Sequence, residues 1–142
     1  MEPAFWDASA IVPLCVRQDA TQTSQLLSRR YEFVVWWVAP VEICGAFSRL
    51  VRMGQLTSNG QVQAQVVLAE LRSKWREVLP DPSLRDRAER LVDRFPLKAA
   101  DALQLAAAVA WCSGHPRART FVSGDTQLLE AASELGFQAV EV

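Results

Sequence analysis

The sequence predicts an α/β fold with a mostly parallel sheet covered by helices on both faces. Two observations carry that expectation. Short apolar runs of strand length alternate with longer stretches of helical spacing along the chain. One of those runs, FVVWWVA, is β-branched and aromatic throughout, as suits a strand buried on both sides.

The elements follow in order. PAFWD reads as a short first strand, and SAIVPLCV as the start of a helix, with Ser9 as its cap and Pro13 tolerable only near the first turn. Residues 19–30 continue as a second helix with Leu26 and Leu27 on its apolar side. Residues 33–39 form a central strand. Pro40 then stands where a helix starts, and Val41, Cys44, Phe47, Ser48 and Val51 mark its apolar stripe before Gly54 stops it. A long helix runs from Thr57, with Val62, Val66, Ala69 and Trp75 recurring at helical intervals. WREVL, residues 75–79, fits either the end of that helix or a short edge strand. DPSLRDRAERLVDRF makes another helix, and PLKAADALQLAAAVAWCSG opens one so apolar that it must be buried. Residues 119–123 are a strand, 125–135 a helix, and FQAVEV a last strand.

Composition narrows the chemistry. The 142 residues, half of them hydrophobic, suffice for one domain over residues 1–142. A net charge of −1 removes any overall basic field, so a nucleic-acid partner would need a local patch or metal ions. Cys15, Cys44 and Cys112 lack ligand spacing and read as buried thiols in a reducing compartment. Glu2 and Asp7 near the start do not suit a secretory signal, and Pro40, Glu42 and Gly45 interrupt the most apolar segment well short of a membrane span. A cytoplasmic protein with no membrane contact is expected.

Four acids stand at junctions. Asp7 follows the first strand, Glu42 lies in the first turn after the second, Asp101 near the start of the buried alanine-rich helix, and Asp125 after the strand ending near Val122. In a parallel sheet, ligands gather beyond the carboxyl ends of the strands, which would bring Asp7, Glu42 and Asp125 to one edge, where Asp101 joins them if its helix starts there. Each alone could cap a helix. Four converging carboxylates repel one another unless a cation neutralises them, and oxygen-only donors suit Mg²⁺ or Mn²⁺. Such a site can hydrolyse a phosphodiester, with basic side chains at its rim.

Asp7 in WDASAIV, Glu42 in APVEICGAF, Asp101 in LKAADALQLAAA and Asp125 in FVSGDTQLLEAASELGF resemble the four-acid pattern of PIN-domain ribonucleases, particularly VapC-type toxins. The resemblance covers nearly the whole chain. It implies a three-layer α/β/α sandwich, Mg²⁺- or Mn²⁺-dependent endoribonuclease activity on single-stranded or structured RNA, inhibition by a cognate VapB-type antitoxin, and a homodimer. Asp7 and Asp125 would be direct metal ligands, with Glu42 and Asp101 binding directly or through water. Ser9 and Ser123 match positions that often carry a hydroxyl, suited to hydrogen-bonding a ligand carboxylate or water. Gln104 departs from the pattern, standing where many members have histidine.

Lys98, three residues before Asp101, and Arg49 and Arg52, further along the helix that begins beside Glu42, are the candidate substrate contacts, the two arginines suiting a phosphate or an acidic partner. The remaining cations of residues 72–98 alternate with acids as on a solvated face. His115 reads as a solvated loop residue, and Trp36, Trp37 and Trp111 as core. A phosphatase of the haloacid-dehalogenase type would need a second acid where Ser9 stands, and a receiver domain an acidic pair after strand one. The remaining alternative is a catalytically inactive PIN-like binding module.

Overall fold

A computed structural model describes all 142 residues. The strands are β1 (Glu2–Trp6), β2 (Tyr31–Trp36), β3 (Arg76–Val78), β4 (Thr120–Ser123) and β5 (Gln138–Glu141). The helices are α1 (Ala8–Cys15), α2 (Thr21–Arg30), α3 (Ala39–Arg52), α4 (Ser58–Arg72), α5 (Pro82–Arg94), α6 (Ala99–Trp111) and α7 (Thr126–Leu135). All strands are parallel, in the order β3-β2-β1-β4-β5.

Successive strand residues face opposite sides, and here both sides are apolar. Phe5, Val34, Trp36 and Phe121 point into a core shared with α5, α6 and α7, whereas Trp6, Phe33, Val35 and Val122 point into one shared with α1, α3 and α4. That is why the run FVVW of β2 is continuous rather than alternating. Aromatic pairs lock the strands laterally: Phe5 stacks on Phe121 with centroids 5.5 Å apart, and Trp6 tilts against Phe33 at 4.6 Å. The expected three-layer α/β/α arrangement is the one observed.

The sheet resolves the ambiguity of WREVL, whose central residues pair with β2 as a parallel edge strand. Other expectations need correction. The strand β2 occupies 31–36 rather than 33–39, and the middle of the sheet is β1. Trp37 leaves the core, with 51% of its surface exposed, because the chain turns there to enter α3. Trp111 is half-buried beneath the Arg119 guanidinium. Ala39, Ile43 and Phe47 form the buried stripe of α3, and Val41 faces solvent. On α4, Ala64 and Leu68 face inward while Val62 and Val66 are 58% and 60% exposed. Both helices carry enough apolar residues to draw two stripes, and packing selects the one that meets α1 and the sheet.

Leu26 is also exposed, α2 burying Thr21 and Ser24 instead. Pro13 sits inside α1 rather than near its first turn, and Ser9 is not the cap, since Asp7 holds that position. The three cysteines are free, with Cys112 buried and Cys15 and Cys44 half-buried. No helix is long and apolar enough to cross a membrane.

Candidate functional site

A parallel sheet puts every strand's carboxyl end on one edge, and the order of strands reverses direction at β1, between β2 and β4. Ligand crevices of open α/β sheets form at such a reversal. Asp7 and Asp125 flank it, at the ends of adjacent strands β1 and β4. Glu42 reaches it from the first turn of α3 and Asp101 from the first turn of α6. An open cleft of about 490 Å³ is lined by all four acids together with Ser9, Gln18 and Arg49. The sequence-predicted carboxylates therefore share one cavity.

Capping explains only one of them. Asp125 Oδ1 accepts from the backbone N–H groups of Gln127 and Leu128 at 2.9 and 3.2 Å, as a helix cap does. Asp7 occupies the cap position of α1 but makes no side-chain cap bond. Its carboxylate is only 4% exposed and instead receives hydrogen bonds on Oδ2 from Ser9 Oγ and, at 2.9 Å, from Ser123 Oγ. The two hydroxyls are themselves tied into the loop after β4. Gly124 N–H donates to Ser9 Oγ and Asp125 N–H to Ser123 Oγ, at 2.9 and 3.0 Å. Both serines expected to support the acids do so through Asp7.

The acids strain against one another. Burial pushes the Asp7 carboxyl above its ordinary range and Asp125 adds repulsion, although the serine hydroxyls pull it back. Burial, then the charges of Asp7 and Asp101, push Glu42 up to about 7. Burial, then Asp125 and Asp7, raise Asp101, which Lys98 lowers again. No cation neutralises the group by direct contact, the chain's two ion pairs being Lys74–Glu70 and Arg94–Glu134.

Arg49 reaches the cleft wall, and Lys98 stands beside Asp101 at the cap position of α6. Arg52 is exposed at the far end of α3 and does not line the cleft. His115 is an exposed loop residue whose Nδ1 meets the Ser113 carbonyl.

Two participants were not foreseen as such. Gln104 is fully buried and its Nε2 donates to Glu42 Oε1 at 2.9 Å. The signal was available, since Gln104 follows Asp101 by three and so shares its helix face. Gln18 lines the cleft from the loop after α1, and nothing in the sequence marks it.

The donor set bears on which class of cation the cleft could take. Every candidate ligand is an oxygen, the class that suits Mg²⁺ or Mn²⁺ and not a thiophilic metal. No three Asp, Glu, His or Cys side chains close on one point as a ready-made cage. Mg²⁺ does not need one, because it keeps several waters and uses few carboxylates. The chemistry of the four acids that line the cleft suits such an ion, and their arrangement is not a closed cage.

No protein-family model and no curated protein sequence matches the chain. Solved structures do. The chain superposes on the crystal structure of PAE2754 from Pyrobaculum aerophilum with a TM-score of 0.66 at 21% identity, over 92% of this chain and 79% of that one. A toxin–antitoxin complex from Klebsiella pneumoniae gives 0.61 at 14% identity, over 87% and 88%. VapBC2 from Rickettsia felis, solved bound to a DNA fragment from their promoter, gives 0.66 at 13% identity, over 97% and 98%. The chain has the PIN-like α/β fold that the four-acid resemblance implied, and shares it with toxin–antitoxin proteins.

Proposed function

We propose that the protein is a VapC-like, metal-dependent endoribonuclease that hydrolyses phosphodiester bonds of RNA and is held in check by a cognate VapB-type antitoxin. The observation that carries this reading is the meeting of Asp7, Glu42, Asp101 and Asp125 from four separate elements in one open cleft, none of them in an ion pair. A fold with no use for cations would not gather unneutralised carboxylates there. The fold likeness to toxin–antitoxin complexes supports the toxin assignment and the antitoxin partner.

In this reading Asp7 and Asp125 bind Mg²⁺ or Mn²⁺ directly, and Glu42 and Asp101 bind it directly or through water. The bound ion supplies Lewis-acid stabilisation of the phosphoryl group and a nucleophilic water. Ser9 and Ser123 hold the Asp7 carboxylate in one orientation. Arg49 and Lys98 meet the phosphates of the incoming strand and offset its repulsion by the acids. The protein works in the cytoplasm, as a homodimer.

The test is cleavage of a mixed RNA pool with Mg²⁺ or Mn²⁺ by wild type and by Asp7→Asn. Cleavage by wild type alone, abolished by chelator, is the expected result. One observation favours a second reading, an inactive PIN-like binding module: no three carboxylates close on a common point. Metal binding without cleavage of any RNA would select it.

A further inference from the structure

Arginines and acids alternate along the sequence of α5, and the helix sorts them into stripes. Leu84, Ala88 and Leu91, continued by Phe95, are spaced three or four apart and form its buried face. Arg87, Arg90 and Arg94 each stand one residue before a member of that face, and so flank it together. Asp86, Glu89 and Asp93 stand one residue earlier still and are exposed, further from the core.

The arginine stripe borders a second cavity, of about 340 Å³, between α5, the ends of α6 and α7 and the loop after α6. Its apolar part is made by Leu91, Val109, Pro116 and Leu135, and no acid lines it. A Cβ at Gly136 would lie 3.5 Å from Pro116 Cγ, so the loop packs on the end of α7 and walls the cavity. Arg87 is half-buried there, yet neither it nor Arg90 is in an ion pair. Arg94 has only Glu134, at 3.9 Å with both side chains more than half exposed, and such a pair holds weakly.

We propose that this cavity is a docking site for an acidic peptide of a partner protein, which sets carboxylates on Arg87, Arg90 and Arg94 and an apolar side chain against Leu91, Val109 and Leu135. The inference goes beyond the proposed function and does not depend on the chemistry of the cleft. Asp101 lines the cleft and Val109 the cavity, about 12 Å apart along α6, so the two sites are separate.

Charge and shape select this occupant. A guanidinium fork binds a carboxylate through paired N–H bonds, and clustered arginines are a common means of holding acidic motifs. The apolar lining beneath them rewards a hydrophobic side chain carried between the carboxylates. A nucleic-acid strand fits less well. No aromatic ring lines the cavity to stack a base, and phosphates running along α5 would lie beside the exposed Asp86, Glu89 and Asp93. A short peptide tucked into the cavity avoids those acids.

The experiment is a nuclear magnetic resonance titration of the isotope-labelled full chain, read at backbone amides and arginine Nε–H groups. The probe is a capped pentapeptide with one leucine between two pairs of aspartates. Saturable shifts at Gly114, Leu135 and the Nε–H groups of Arg87 and Arg90 are expected, and the same peptide with asparagines for aspartates should give none. Arg87→Gln with Arg90→Gln should weaken binding about tenfold or more, as loss of charged hydrogen bonds does. Arg90→Gln alone, at an exposed position, serves if the double variant misfolds. Glu134→Gln, which frees Arg94, should bind at least as tightly as wild type. No shift at the cavity in millimolar acidic peptide, equal binding of the asparagine peptide, unchanged affinity in the arginine variants or weaker binding by Glu134→Gln overturns the proposal. So does tighter binding of pentauridylate at the same resonances, which would make the cavity a phosphate site.

Discussion

Ser123 Oγ, at the end of β4, donates to Asp7 Oδ2, at the end of β1, across 2.9 Å. This bond joins adjacent strands through an acid that burial alone would drive toward protonation. The proposed metal-binding role of Asp7 therefore works against stability. Asp7→Asn keeps an acceptor for the two hydroxyls and removes the buried charge. In chelator it should raise stability by ~1 kcal/mol, or about 3 °C in Tm for a chain of this length. Added Mg²⁺ should raise the Tm of wild type and leave the variant unmoved. Thermal unfolding with and without metal checks both, and a variant less stable than wild type in chelator would count against a strained site.

The raised carboxyls predict an unusual pH dependence. Glu42, Asp101 and Asp7 all titrate higher in the folded chain than in the unfolded one, so between the two values the folded chain binds more protons. Their contribution to stability is then complete below the unfolded carboxylate range and lost as pH rises, through about 7 for Glu42. Metal-free protein should melt higher near about pH 5 than near about pH 8, as far as these groups decide it. Mg²⁺ should reverse that order, because its ligands must be deprotonated. Melting curves over that range, in chelator and in Mg²⁺, measure the crossing.

Arg49 and Arg52 differ in place although they share α3. Arg49 lines the cleft, and Arg52 does not. Arg49→Ala should weaken RNA binding and reduce the slope of log affinity against log salt by about 1, as loss of one phosphate contact does. Arg52→Ala should leave both unchanged. Filter binding of RNA to the Asp7→Asn background across a salt series separates the two, and an Arg52 effect as large as that of Arg49 would place the strand elsewhere.

The sequence was most legible where chain direction and side-chain chemistry agree. Asp7, Glu42 and Asp125 could be placed together because a parallel sheet leaves only one edge for residues that follow strands, whereas Asp101, which follows a helix, joins them only because α6 starts at that edge. Burial of α6 was legible for a similar reason, its apolar residues circling the whole helix. Where several packings satisfy the same pattern, the reading failed. On α4 the spacing of Val62 and Val66 is as helical as that of Ala64 and Leu68, and only the neighbouring helices decide between them. Trp37 looked like strand because it continues an apolar run, yet the chain turns before it. Gln104 went unread as a clamp because its partner lies 62 residues away.

The outward valines carry the last prediction. Val62 and Val66 are four apart on α4, share one face, and leave more than half of each side chain in water, while Val41 on α3 is 71% exposed. Single exposed apolar residues are ordinary, but a pair at helical spacing on a chain expected to dimerise suits a self-interface. If the homodimer uses this face, Val62→Lys with Val66→Lys buries two like charges against their copies and separates the protomers. The fold should hold, since neither side chain is in the core and surface changes of this kind shift stability by about 0.5 kcal/mol or less. Sedimentation of wild type as a dimer and of the double variant as a monomer, at equal Tm, is the expected outcome. A dimer that survives both lysines places the interface on another face, and a wild-type monomer removes self-association from the proposal.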